Sequence, residues 1–262
     1  MSLAELAFDR DRGIATVTFR RAEVMNALDV AMVRAIHASV MPLADLEGVR
    51  CVILRGEGRA FMTGGDVAAF AADFTRTAEV VGELLDSLNP AILTLRNLNA
   101  PVLASVHGAV AGAGISVMCA CDLVIAAENT RFMLAYNRVG TVPDCGGTWF
   151  LPRLIGLRKA AEFMFLGNTW DAATAKDVGL INHVVPADRL AQETDALAQK
   201  LAAGATLAFG AYKRLANEAF SRSLAEQLSL ERTAFQASTR TQDFRTGVTA
   251  FLAKTEPKFE GK

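Results

Sequence analysis

Apolar and polar positions alternate through "LAELAFDRDRGIATVTF" (residues 3–19), predicting two strands around a turn at Asp11-Arg12-Gly13. The spacing then changes to a helical one in "LDVAMVRAIHASVMPLADL", with Asp29 placed to cap the helix. "VRCVILRGEG" reads as a buried strand ending in glycines, and "RAFMTGGDVAAF" as a glycine turn. A helical stretch from about Phe74 to Asn99 follows, in which Asn89-Pro90 predicts a kink or break. "PVLASVHGAVAGAGISVMCACDLVIAAENTRFML" repeats the scheme of strand, glycine turn, short helix (Ile115–Ala120) and strand. A recurring strand–strand–helix unit predicts a stacked α/β coil rather than a doubly wound sheet.

After Leu151 the pattern becomes almost wholly helical. It predicts helices near Arg158–Leu166, Ala172–Val178, Leu190–Ala203, Thr206–Ala219, Leu224–Ser238 and Phe244–Lys254, with "GLINHVV" as a short strand between them. The boundary expected from this shift separates an α/β core, residues 1–200, from a helical C-terminal region, residues 201–262, whose apolar surface suits oligomer contacts.

The chain has 262 residues, 52% of them hydrophobic and 21% charged, which is ample for a core. Its 27 basic and 28 acidic residues are interspersed, so charge gives no reason to expect nucleic acid as a partner. "MSLAELAFDRDRG" lacks the basic and apolar halves of a secretory signal, and no run is long enough for a membrane span. Four cysteines without a CxxC pair predict reduced thiols and a cytoplasmic setting. With three histidines, no metal site is expected.

Two turns carry candidate chemistry: "AFMTGGD" (60–66) and "HGAVAGAG" (107–114). Glycines there permit tight turns and close packing. They also allow unpaired N–H groups, one set at a helix N-terminus, to converge on one oxygen as an oxyanion hole. A dinucleotide fingerprint fails because Val117 stands where the third glycine belongs, and there is no P-loop or GxSxG elbow.

"RRAEVMNALD", "AFMTGGDV", "PVLASVHGAVAGAG", "ACDLVIAAENTRF", "GTVPDCGGTWFLPRLIG" and "GLINHVV" occur in order. Together they resemble the enoyl-CoA hydratase/isomerase (crotonase) family from Ile14 nearly to the C-terminus. The resemblance implies a right-handed ββα spiral followed by a helical trimerisation region, assembled as homotrimers or as hexamers that pair two trimers. It also implies an acyl-CoA thioester substrate, with coenzyme A arriving on the substrate and no other cofactor. By position, the oxyanion hole falls to the N–H groups of Gly65 and Ala113. Val24, Ala27, Thr63 and Asp66 match segments that line CoA. Phe251 and Lys254 match a helix that touches CoA from a neighbouring subunit.

The hydratases of that family use two glutamates, and the matching positions hold Ser116 and Tyr136. Neither hydroxyl ionises at neutral pH without a strong base beside it. Asp144 stands where hydratases have glycine and where several isomerases of the family place an aspartate base. "PDCGGTW" followed by "LPR" is similar to the ring-opening 1,2-epoxyphenylacetyl-CoA isomerases. The sequence therefore points to an acyl-CoA isomerase of the enoyl-CoA or epoxyphenylacetyl-CoA type. Hydratase, acyl-CoA hydrolase and non-catalytic acyl-CoA-binding protein remain as alternatives. Asp144 also reads as a helix cap, Ser116 as a small helix residue, Tyr136 as a pocket wall or hydrogen-bond donor, Asp66 as a loop fastener and Cys145 as a turn residue. Asn89 sits where dehalogenating relatives place a histidine, which disfavours that reaction.

Overall fold

A computed structural model describes residues 2–262 of the chain. The opening hairpin pairs β1 (Ala4–Asp9) with β2 (Ile14–Phe19), and Asp29 caps α1 (Val30–Val40) by accepting from the Met32 N–H at 2.7 Å. Three turns of a coil follow. The first contains β3 (Cys51–Gly56), β4 (Ala60–Met62), α2 (Val67–Ala71) and α3 (Thr77–Asn97). The second contains β5 (Val102–Val106), β6 (Ala109–Ala111) and α4 (Ala113–Cys119). The third contains β7 (Leu123–Ala127), β8 (Arg131–Met133), α5 (Tyr136–Val139) and α6 (Gly147–Leu166). The chain continues through β9 (Trp170–Asp171), α7 (Ala172–Asp177), β10 (His183–Val185) and α8 (Leu190–Ala202). It ends in α9 (Thr206–Glu218), α10 (Leu224–Ser238) and α11 (Gln242–Ala253).

The long strands form one sheet in the order β1-β2-β3-β5-β7-β10, parallel except for the first pair. The short strands form a second, β4-β6-β8-β9. Alternation along the strands explains how the larger sheet is covered. Val52, Leu54, Val102, Ala104, Val106, Val124 and Ala126 face the main core, which includes α1 and α3. Cys51, Ile53, Leu103 and Ile125 face Ala198 and Ala202 of α8. A parallel sheet buried on both faces needs such a double cover. Polar residues on that second face pair with one another: Ser105 shares a 2.8 Å hydrogen bond with Thr194 of α8, and Arg55 donates to the Thr18 hydroxyl at 3.1 Å.

Four expectations need correction. α3 begins at Thr77, not Phe74, and runs unbroken through Pro90. Leu84, Leu88, Ala91, Ile92 and Leu95 are buried on both sides of that proline, so packing outweighs the one backbone bond it cannot make. α4 starts at Ala113 rather than Ile115, and α6 starts at Gly147, so the helix expected at Arg158 is its second half beyond a break at Gly156 (φ 76°). The short β9 and α5 gave no periodic signal. No helix among the described residues is long and apolar enough to cross a membrane.

The second glycine turn depends on close backbone approach. A Cβ on Gly114 would lie 2.3 Å from the Met62 carbonyl oxygen, so α4 can meet β4 only as glycine. Gly82, inside α3, faces open space: a Cβ there would meet no heavy atom within 4 Å. Gly114→Ala is expected to cost about 1–3 kcal/mol through overpacking, lowering the thermal midpoint by several degrees. Gly82→Ala is expected to raise it slightly, by about 0.5–1 kcal/mol. Calorimetry on the two variants beside wild type checks both signs.

Candidate active site

The loop after β2 and the loop after β4 form one unit. Leu28 N–H donates to the Gly64 carbonyl at 2.7 Å, and Asp66 N–H donates to the Leu28 carbonyl at 2.9 Å. The Thr63 hydroxyl donates to the Met25 carbonyl at 3.2 Å. Asn26 is fully buried with a left-handed backbone (φ 56°). Its amide nitrogen faces the carbonyls of Glu57, Ala60 and Phe61 at 2.9–3.1 Å, while its oxygen accepts from the Arg21 N–H. The Arg21 guanidinium spans Asp66 (2.9 Å) and Asp29 (3.0 Å). Asp66 also caps α2. Thus Val24, Ala27, Thr63 and Asp66 share one ledge, and the Asp66 carboxylate is spent on Arg21 and the cap.

This ledge abuts the N-terminus of α4. A Cβ on Gly64 would lie 3.0 Å from the Ala113 nitrogen and 3.1 Å from the Ala111 carbonyl oxygen. Gly64 (φ 84°) and Gly112 (φ 51°, ψ −128°) adopt backbone conformations that side chains disfavour. Among the described residues, neither the Gly65 nor the Ala113 N–H donates to a protein acceptor. The Phe70 ring packs over Gly65, 2.8 Å from where a Cβ would stand.

One turn further along α4, Ser116 is fully buried, and its hydroxyl has no hydrogen-bond partner. It lies against Gly147, where a Cβ would come within 2.6 Å of Ser116 Oγ. That contact seats the turn Asp144–Gly147 on α4. The Gly147 N–H donates to the Asp144 carbonyl at 2.8 Å, while Cys145 (φ 52°) and Gly146 (φ 83°) are both left-handed. For Cys145 this conformation costs about 1–2 kcal/mol. Asp144 does not cap α6: the capping position is Gly146, which makes no side-chain cap bond. Instead Asp144 Oδ1 accepts from the Tyr136 hydroxyl at 2.6 Å, and the Asp144 N–H approaches that hydroxyl oxygen at 3.5 Å. Tyr136 is buried. Burial first, then the adjacent Asp144 charge, push its pKa well above the ordinary phenol value, so it stays protonated and donates.

Phe251 and Lys254 stand apart. Phe251 is 83% exposed at the end of α11 and lines an apolar groove of about 370 Å³ with Leu207, Phe244, Val248 and Phe259, all from the C-terminal helices and tail. Lys254 is the exposed left-handed residue that ends α11. Within one chain, therefore, the ledge, the α4 N-terminus and the Asp144 turn form one continuous site, and the α11 residues form another surface. The Arg21–Asn26 fastening and the strained Cys145 gave no signal in the sequence beyond their polar or small character.

The fold is thus a ββα coil in which α4 carries the Ala113 N–H at its start and supports the Asp144 turn through Ser116. The family model for enoyl-CoA hydratase/isomerase matches residues 9–262, and the chain belongs to that family. It is 36% identical over 253 residues to the 1,2-epoxyphenylacetyl-CoA isomerase of Escherichia coli K12, covering 96% of this chain and 97% of that one. It is 37% identical over 263 residues, all of both chains, to a Rhodobacter capsulatus protein named "Probable enoyl-CoA hydratase". The crystal structure of an enoyl-CoA hydratase from Polaromonas sp. JS666 superposes with a TM-score of 0.91 at 32% identity, covering 98% of this chain and 99% of that one.

All four cysteines are buried and free. Burial raises Cys51 and Cys119 to about 12. Cys145 is raised further, by burial first and by the Asp144 charge second. Because the thiolate is the reactive form, native protein at pH 8 is expected to resist a disulfide reagent such as DTNB. Guanidinium should then release four titratable thiols. A rapid native reaction at Cys145, mapped by mass spectrometry, would contradict the closed packing of the Asp144 turn.

Proposed function

We propose that the protein is an acyl-CoA isomerase in which Asp144 is the base and the Gly65 and Ala113 N–H groups hold the thioester oxygen. The observation that carries this reading is the Tyr136–Asp144 pair. The two positions that hold glutamates in the hydratases carry buried hydroxyls, one unpartnered and one spent on Asp144. No carboxylate remains there to activate water. In the proposed reaction the thioester carbonyl lies on the two N–H donors, which stabilise the enolate oxygen by about 3 kcal/mol each. Asp144 takes a proton from one carbon and returns it at another.

The names carried by relatives include isomerase and hydratase, so they do not decide between the two. The Escherichia coli relative's name supports a ring epoxide as one acyl candidate, beside a 3-enoyl chain. Coenzyme A enters on the substrate, contacted by the Val24–Ala27 and Thr63–Asp66 ledge. In this reading α10 and α11, which expose Leu224, Phe235, Phe251 and Leu252, pack against further copies in a homotrimer or a pair of trimers, bringing Phe251 and Lys254 to a neighbour's CoA.

Two variants test the chemistry. With a 3-enoyl-CoA or the ring epoxide as substrate, Asp144→Asn should lower kcat by about 10²–10⁴, the usual range for loss of a general base. Ala113→Pro deletes one N–H at the first helical position, where proline fits, and should cost about 10²–10³ in kcat with native circular dichroism. Double-bond migration or ring opening that persists in Asp144→Asn would remove Asp144 as the base. Water addition to crotonyl-CoA at a comparable rate, or free thiol release, would transfer the protein to the hydratases or the hydrolases.

A further inference from the structure

The Asp144 carboxylate is held from one side only. Tyr136 donates to Oδ1 at 2.6 Å, while the Asp144 N–H approaches the same phenol oxygen at 3.5 Å. The phenol and the residue it holds therefore close a small ring. The Asp144 backbone is fixed in turn by the left-handed pair Cys145-Gly146 and by the bond from Gly147 N–H to its carbonyl. Among the described residues, no donor hydrogen-bonds Oδ2. One oxygen is committed and one is available, on a side chain that cannot swing without breaking its clamp.

We propose that Tyr136 is a positioning residue: by holding Oδ1 it fixes the Asp144 carboxylate and leaves Oδ2 as the atom that carries the proton between the two carbons. This rests on the reading of Asp144 as the base. For a 3-enoyl thioester, the C2–H bond breaks and Oδ2–H forms. The electron pair enters the C1–C2 bond as the carbonyl pair moves to oxygen. The carbonyl then reforms, the C1–C2 pair shifts to C2–C3, and the C3–C4 pair takes the proton from Oδ2 to C4. Charge and atoms balance with no co-reactant. The Tyr136 bond persists through each step because Oδ1 keeps a lone pair when the proton sits on Oδ2, although it accepts more strongly from the phenol while the carboxylate is ionised. The raised phenol pKa keeps that hydroxyl a donor throughout.

The experiment uses a 3-enoyl-CoA deuterated at C2, turned over in ordinary water by wild type, Tyr136→Phe, Asp144→Glu and Asp144→Asn, with deuterium at C4 read by NMR. Wild type should carry a measurable share of the label to C4. Tyr136→Phe, which keeps the ring and removes the clamp, should lower kcat tenfold or more with KM within about threefold. It should also transfer at least threefold less label. Asp144→Glu, which moves the carboxylate past the phenol, provides the same comparison if Tyr136→Phe does not fold. Complete loss of label by wild type would overturn the one-atom return. Wild-type kcat and label transfer in Tyr136→Phe would overturn the positioning role, as would a loss confined to thermal stability. In both cases an inactive Asp144→Asn would leave the base assignment standing; an active one would remove that assignment instead.

Discussion

Two backbone N–H groups without a protein acceptor, at Gly65 and Ala113, set the terms for the structure around them. A buried donor left unpaired, as at Ala113, costs about 1–3 kcal/mol, so folds rarely keep one. Here their surroundings are tied down at length. The Asn26 amide donates to carbonyls of the Glu57 turn and of Ala60 and Phe61 in β4, the strand that leads to Gly65, and Arg21 ties Asp66 and Asp29 to the same ledge. Gly64 and Gly114 let backbone meet backbone from two turns of the coil. A side chain at either would drive the two donors apart.

The coil explains why residues distant in sequence meet. The long strands stack in register, Leu54 beside Ala104 and Ala104 beside Val124, so the loops leaving their ends also stack. The short strands β4, β6 and β8 repeat that stacking one step later. Gly65, Ala113 and Tyr136 each follow one of these short strands. The site is therefore a column across successive turns of the coil, and its spacing is inherited from the sheets rather than from any local motif.

Much of this was legible in the residues. Alternation in 3–19, the Asp29 cap and the helical spacing of the last hundred residues described local preferences that packing did not overrule. Pro90 was misread because its penalty is local while the apolar stripe from Leu84 to Leu95 outweighs it. The placement of Asp144 was legible only in part. A small-residue turn before a helix suggests a cap, and only the fold shows that Gly146 occupies the capping position while the carboxylate turns to Tyr136. That pairing joins residues eight apart, just before a left-handed cysteine, which no periodicity encodes.

The single carboxylate of the proposed site has an electrostatic logic. Position 116 is fully buried, and position 136 lies within hydrogen-bond reach of Asp144. A glutamate at position 136 would place a second negative charge against Asp144, and the repulsion would favour a proton on one of the two. With Tyr136 in that place, the Asp144 carboxylate accepts from a phenol instead. Tyr136 then performs as a donor what a second carboxylate would oppose. In the isomerase reading proposed above, a site so arranged moves a proton within one substrate. In the same reading the buried and unpartnered Ser116 hydroxyl takes no part in activating water.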